Sequence, residues 1–101
     1  MKYPDKIRIA GHDYAVKTVH SDDAMEPSNL GRCDHHNLRI TIETNGPEVG
    51  QRQTLLHELI HAADKRYGGN KLAEEQVLAM ENGLWAIFRD NPGLAAFIFG
   101  K

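Results

Sequence analysis

The sequence predicts an α+β fold, a small twisted sheet of three or four strands packed on two long helices, and three observations carry that reading. Up to residue 43, apolar and polar side chains alternate with the period of two that a half-buried strand requires. From residue 49 onward the apolar residues recur at helical spacing instead. Between the two regimes stands Asn45-Gly46-Pro47-Glu48, which stops a strand and starts a helix.

The strands follow in order. Lys6 to Ala10 places Ile7 and Ile9 on one face, Gly11-His12-Asp13 offers turn chemistry, and Tyr14 to Val19 alternates again, so a hairpin is expected. Ser21 to Gly31, with Asp22, Asp23, Pro27, Ser28 and Asn29, reads as a loop. A short strand around Gly31 to Cys33 and a tight turn through Asp34-His35-His36-Asn37 lead into a strand from Leu38 to Glu43. There Leu38, Ile40 and Ile42 point inward, and Arg39, Thr41 and Glu43 point outward.

The first helix is expected over Val49 to Tyr67, with Leu56, Leu59, Ile60, Ala63 and Tyr67 as its apolar stripe and Gly68-Gly69 as its stop. A second runs from Lys71 to Asp90 on Ala73, Val77, Met80, Leu84, Ile87 and Phe88, and Asn91-Pro92-Gly93 ends it. The apolar tail Leu94 to Phe99 folds back as a short helix or a cover. Met25, Met80, Trp85, Phe97 and Phe99 read as core or cover residues. No repeat, low-complexity tract or linker interrupts the chain, so residues 1–101 read as one domain.

Composition narrows the function. With 41% hydrophobic and 26% charged residues, the chain resembles ordinary soluble globular proteins rather than a disordered or coiled-coil one. A domain this short buries only about 60–65% of its unfolded surface, so a metal would help a thin core. The net charge of −2 offers no footprint for nucleic acid or an anionic membrane, and no apolar run reaches the roughly 18–20 residues of a membrane span. The first residues lack the apolar stretch of a signal peptide, and the single Cys33 cannot form an internal disulfide, so a cytoplasmic protein is expected. Six histidines in 101 residues point toward metal chemistry.

His57-Glu58-Leu59-Ile60-His61 is an HExxH sequence inside the first helix. Histidines four apart project from one face, so both imidazoles reach one zinc ion. Glu58 lies about 100° round the helix from His57, off the metal and beside a water on it. This composition yields roughly 0.02 such matches by chance. On a helical wheel both histidines border the buried stripe.

A catalytic zinc takes three protein ligands and leaves one position open. The extended pattern HExxHxxGxxH fails here, because Asp64 and Tyr67 stand where it needs Gly and His. A carboxylate from the second helix is the alternative. On its wheel Glu74 faces the first helix and Glu75 faces solvent, so Glu74 is the expected ligand; Glu75, Glu81 or a further histidine are the other candidates. Asp64 reads equally as an acceptor for the second imidazole N–H of a ligand or as a surface acid.

Residues Thr54 to Gly68, then Leu72 to Val77, Asn82 to Leu84 and Arg89 to Pro92, resemble the small phage- and prophage-type zinc metallopeptidases. These are similar to the ImmA/IrrE-like group and to the minimal gluzincins. The resemblance spans residues 54–92 and extends to the N-terminal strands only in layout. It implies a zincin-like core with His57 and His61 as helix ligands, Glu58 as general base and Glu74 as third ligand. The spacing from His61 to Glu74 is shorter than in many gluzincins.

The activity so implied is peptide-bond hydrolysis through a zinc-activated water, with a peptide or protein as substrate. Arg39 to Glu43 is the expected strand for pairing with an extended substrate. Tyr67, Tyr14, His35 and His36 are unranked candidates for stabilising the oxyanion. His12, His20, His35 and His36 are otherwise expected to be solvent-exposed, and Cys33 a small buried thiol rather than a thiolate on the zinc. The competing readings are a non-catalytic zinc-stabilised peptide-binding module and a phage accessory protein with a degenerate motif. Glu58 separates the first of these from an enzyme, because a structural site needs no base.

Overall fold

The computed structural model describes residues 1–20 and 30–101. Four strands, β1 (Lys6–Ile9), β2 (His12–Val19), β3 (Gly31–Asp34) and β4 (Arg39–Glu43), precede three helices, α1 (Glu48–Tyr67), α2 (Glu74–Asp90) and α3 (Leu94–Ile98). The α+β class and the order of elements agree with the sequence pattern. Most of the expected loop over Ser21 to Gly31, Met25 included, lies outside the described residues.

The strands form one open mixed sheet in the order β1-β2-β4-β3. β1 and β2 make an antiparallel hairpin whose turn sits at Ala10-Gly11, slightly earlier than expected. Both residues have positive φ (52° and 81°), the conformation a two-residue hairpin turn needs, and glycine adopts it at no steric cost. β2 and β4 run parallel, with Val16 opposite Ile40. β3 returns antiparallel on the far side of β4, with Cys33 opposite Ile40. Asp34 builds the β3–β4 turn by accepting the backbone N–H groups of His36 and Asn37 at 3.1 and 3.0 Å. Those bonds, Asn37's first, hold its carboxyl below the usual carboxylate range.

This order corrects one expectation. β4 is interior, with both edges paired, so it has no free edge for a substrate. Among the described residues the open edge beside α1 belongs to β3.

Ile9, Tyr14, Ile40, Ile42 and Ala62 form the core, with Leu38, Leu55 and Leu59 packed around it. The inward set on β4 is therefore as the alternation predicts. Glu43 departs from it: at the end of β4 its carboxylate is buried, with Oε1 accepting the Asn45 N–H at 3.0 Å as the chain turns toward α1. Gln51, also buried, fastens the start of α1 by donating to the carbonyls of Thr44 and Gly46 and accepting the Tyr3 hydroxyl.

The buried face of α1 is rotated from the expected stripe. Leu55, Leu59 and Ala62 meet the sheet side, while Ala63 and Tyr67 are exposed. The helix serves two neighbours at once, the sheet and α2, and a single-stripe reading averages the two faces. α2 begins three residues later than expected because Asp64 holds Lys71 and Leu72 extended, accepting both backbone N–H groups at 2.9 and 3.1 Å. Asp64 is thus buried and organises the α1–α2 connection, rather than serving a ligand imidazole or facing solvent.

Among the described residues α2 packs substantially on α1 alone. Val77 is fully buried and Glu81 nearly so, but Met80, Ile87 and Phe88 are exposed. Phe97 and Phe99 are 82% and 73% exposed, so α3 forms as expected but does not act as a cover. Among the described residues no helix is long and apolar enough to cross a membrane.

Candidate metal centre

α1 and α2 bring three donor side chains to one point. His57 Nε2 lies 2.5 Å from Glu74 Oε1, and His61 Nε2 lies 2.9 Å from Glu74 Oε2. These ligand atoms all fall within 4.8 Å of one another, so His57, His61 and Glu74 can hold a metal ion. The donor set fits a borderline metal: two imidazoles and one carboxylate suit zinc at about 2.0–2.2 Å from each ligand. Glu74 remains 67% exposed, which leaves the group open on one side. Glu75 is exposed and takes no part in the group.

The geometry gives Glu81 a different place from the one sequence reasoning offered. Its Oε1 lies 2.7 Å from His57 Nδ1, on the ring edge away from Glu74. A carboxylate there accepts the Nδ1 proton and turns the Nε2 lone pair toward a metal. Burial pulls the His57 imidazole down, but the Glu81 hydrogen bond, Glu74 and the Glu58 charge together hold it above its ordinary value. The signal was present in the sequence, because Glu81 lies on the Val77 side of α2; its distance from the connecting loop obscured it.

Glu58 is buried beside the histidines and lines the same cleft. Burial raises its carboxyl above the ordinary glutamate value; the histidines oppose that, and Glu74 and Glu81 add to it. The cleft encloses about 900 Å³ between α1, α2 and β3. Its β3 wall stands close because Gly31 has no side chain. A Cβ there would lie 2.6 Å from Thr54 Cγ2 and 3.3 Å from Glu58 Cγ.

Cys33 and His35 line the cleft opposite the helices. Cys33 is half-buried rather than buried; that burial, with the Glu58 charge, pushes its thiol up to about 11, so it is a protonated thiol at neutral pH. His12, His20 and His36 are exposed as expected, but His35 is half-buried. Tyr67 turns away from the cleft, its hydroxyl accepting the Ala10 N–H at 2.8 Å. Comparison with protein-family models, with curated proteins and with solved structures finds no match to this chain.

Proposed function

We propose that this chain is a zinc-dependent metallopeptidase acting on peptide or protein substrates in the cytoplasm. The observation that carries the reading is the convergence of His57, His61 and Glu74 with the buried Glu58 in one cleft. The resemblance of residues 54–92 to small HExxH peptidases supports it, and so does the lone cysteine for a reducing compartment.

His57, His61 and Glu74 would hold the zinc, and Glu81 would fix the His57 ring. Zinc, when bound, supplies Lewis-acid chemistry: it acidifies a water and polarises a carbonyl. Glu58 takes a proton from the attacking water as its oxygen bonds to the carbonyl carbon. The same carboxylic acid then delivers that proton to the amine as the C–N bond breaks. Its raised pKa suits both halves of that exchange, since the base lies nearer neutral pH than an exposed glutamate. The free edge of β3, at Gly31 to Cys33, can pair with an extended peptide laid along the cleft.

The test is Glu58→Gln. It should leave about one zinc per chain and reduce peptide turnover by about 100-fold or more, because general-base catalysis is worth roughly 10²–10⁴. Zinc content by metal analysis and cleavage of a quenched peptide library measure the two separately. Undiminished turnover in Glu58→Gln, or a wild type that binds zinc without cleaving any peptide, would refute the reading.

A further inference from the structure

Across the cleft from the metal-ligand group, a chain of part-buried polar contacts ends in His35. Tyr14 is completely buried in the core, yet its hydroxyl meets two polar neighbours. Arg66 Nε lies 2.7 Å from it and can only donate, since a guanidinium has no acceptor lone pair. The phenolic proton therefore needs an acceptor of its own, because an unpaired buried donor costs about 1–3 kcal/mol. His35 Nδ1, 3.1 Å away, is the acceptor that the described residues provide. Cys33 Sγ, 3.7 Å from the same nitrogen, is a protonated thiol and a donor as well. The Tyr14 hydroxyl thus requires Nδ1 without a proton, and the weak Cys33 contact is compatible with it, which leaves the proton of the neutral ring on Nε2.

The ring is also held in place. Arg66 Nη2 donates to the His35 carbonyl at 3.3 Å, so one guanidinium fixes both the Tyr14 hydroxyl and the His35 backbone. Tyr14 and His35 meet edge to face, with centroids 6.0 Å apart. Four groups from the surrounding elements bear on its charge: Arg66, Lys65 and His61 from α1, and Asp34 from β3. Burial first, then Arg66 and Lys65, holds His35 below its ordinary value against the weaker pull of Asp34, which favours the neutral ring.

We propose that His35 is the cleft's neutral Nε2–H donor to the oxyanion of the scissile carbonyl, and that Tyr14 and Arg66 are positioning residues that lock this tautomer. The assignment rests on the peptidase reading above. It singles out His35 from four candidates: His36 is exposed, Tyr67 faces the hairpin, and the Tyr14 hydroxyl is already committed.

The experiment has two arms. Nitrogen-15 NMR of the histidine rings, in metal-free and zinc-loaded protein at pH 7, should show His35 with Nδ1 unprotonated and Nε2 protonated. In Tyr14→Phe, an Nδ1–H population should emerge. In the second arm, a phosphinic peptide, which mimics the tetrahedral oxyanion, is titrated into zinc-loaded protein. His35→Ala should weaken it by about 100-fold, the scale of a lost oxyanion donor, with zinc affinity unchanged. His35→Gln, which keeps an N–H of similar reach, should recover part of that loss.

An Nδ1–H or doubly protonated ring in the wild type overturns the tautomer. Wild-type phosphinate affinity in His35→Ala, or a parallel loss of zinc affinity, overturns the donor role. Failure of the peptidase reading looks different: the wild type binds zinc but neither cleaves peptides nor binds the phosphinate, and the donor role falls with it.

Discussion

The two long helices contribute to the same centre but are held by unequal means. α1 is enclosed, meeting the sheet along Leu55, Leu59 and Ala62 and α2 along His57 and His61. Among the described residues α2 has one substantial neighbour, and its contacts on α1 include fully buried Val77 and the polar contacts of Glu74 and Glu81 with the histidines. Hydrophobic burial thus fixes the helix bearing two metal donors, while polar contacts largely fix the helix bearing the third. In such a division a metal bound at His57, His61 and Glu74 would itself be part of what holds α2.

Metal removal is the strongest way to break that comparison. A ligand present at about 1,000 times its dissociation constant stabilises the folded state by roughly 4 kcal/mol, and its removal returns that energy where the site crosses two elements. Chelation of zinc-loaded protein should lower hydrogen-exchange protection across α2 at least about tenfold more than across β4 and the sheet-facing side of α1. A uniform loss over the whole molecule would show that α2 is no less integral than α1. No change anywhere would remove the metal from the account of stability.

The next test sharpens the contrast by leaving the donors in place. Glu81→Ala deletes the acceptor of the buried His57 Nδ1 proton without touching the three donor atoms. Loss of such a supporting carboxylate weakens metal affinity by about 10–100-fold. Zinc titration against a competing chelator should show that loss, while Glu75→Ala, at an exposed position, should stay within about twofold of wild type. Equal effects of the two substitutions would mean that Glu81 does not orient His57.

How much of this was legible from the sequence follows the same division. The strands, the α1 and α2 helices and the inward set Leu38, Ile40 and Ile42 could be read because each rests on local periodicity, and Glu74 joins His57 and His61 through the HExxH motif, the α2 wheel and the family resemblance. What could not be read depends on partners distant in sequence. Alternation alone points to β4 as the substrate-facing strand because strand order is not written in it; pairing on both edges hides β4. Asp64 looked like a site or surface acid, and only the backbone N–H groups of Lys71 and Leu72 explain its burial. Tyr14, Arg66 and His35 come from three separate stretches, and no spacing rule links them. Met80, Phe97 and Phe99 failed in the opposite sense: an apolar stripe buries only where an element lies against it.

That last failure supplies the smallest and most discriminating expectation. Ile42 and Phe97 are both large and apolar, but Ile42 is fully buried in the sheet core and Phe97 is 82% exposed on α3. Ile42→Ala removes buried methylene groups and leaves a cavity, a loss of about 2–5 kcal/mol. Phe97→Ser removes a ring that lies mostly in water, so its effect should stay within about 0.5 kcal/mol. Urea denaturation of zinc-loaded protein, fitted with a common slope, places both variants on one scale. If Phe97→Ser costs more than about 1 kcal/mol, a magnitude surface substitutions seldom reach, then α3 is covered in solution by something other than the described residues of its own chain. Sedimentation across a range of protein concentrations would then show whether that cover is a second copy. A cost near zero leaves the enclosed sheet-and-α1 half, where Ile42 lies, as the part that holds the fold.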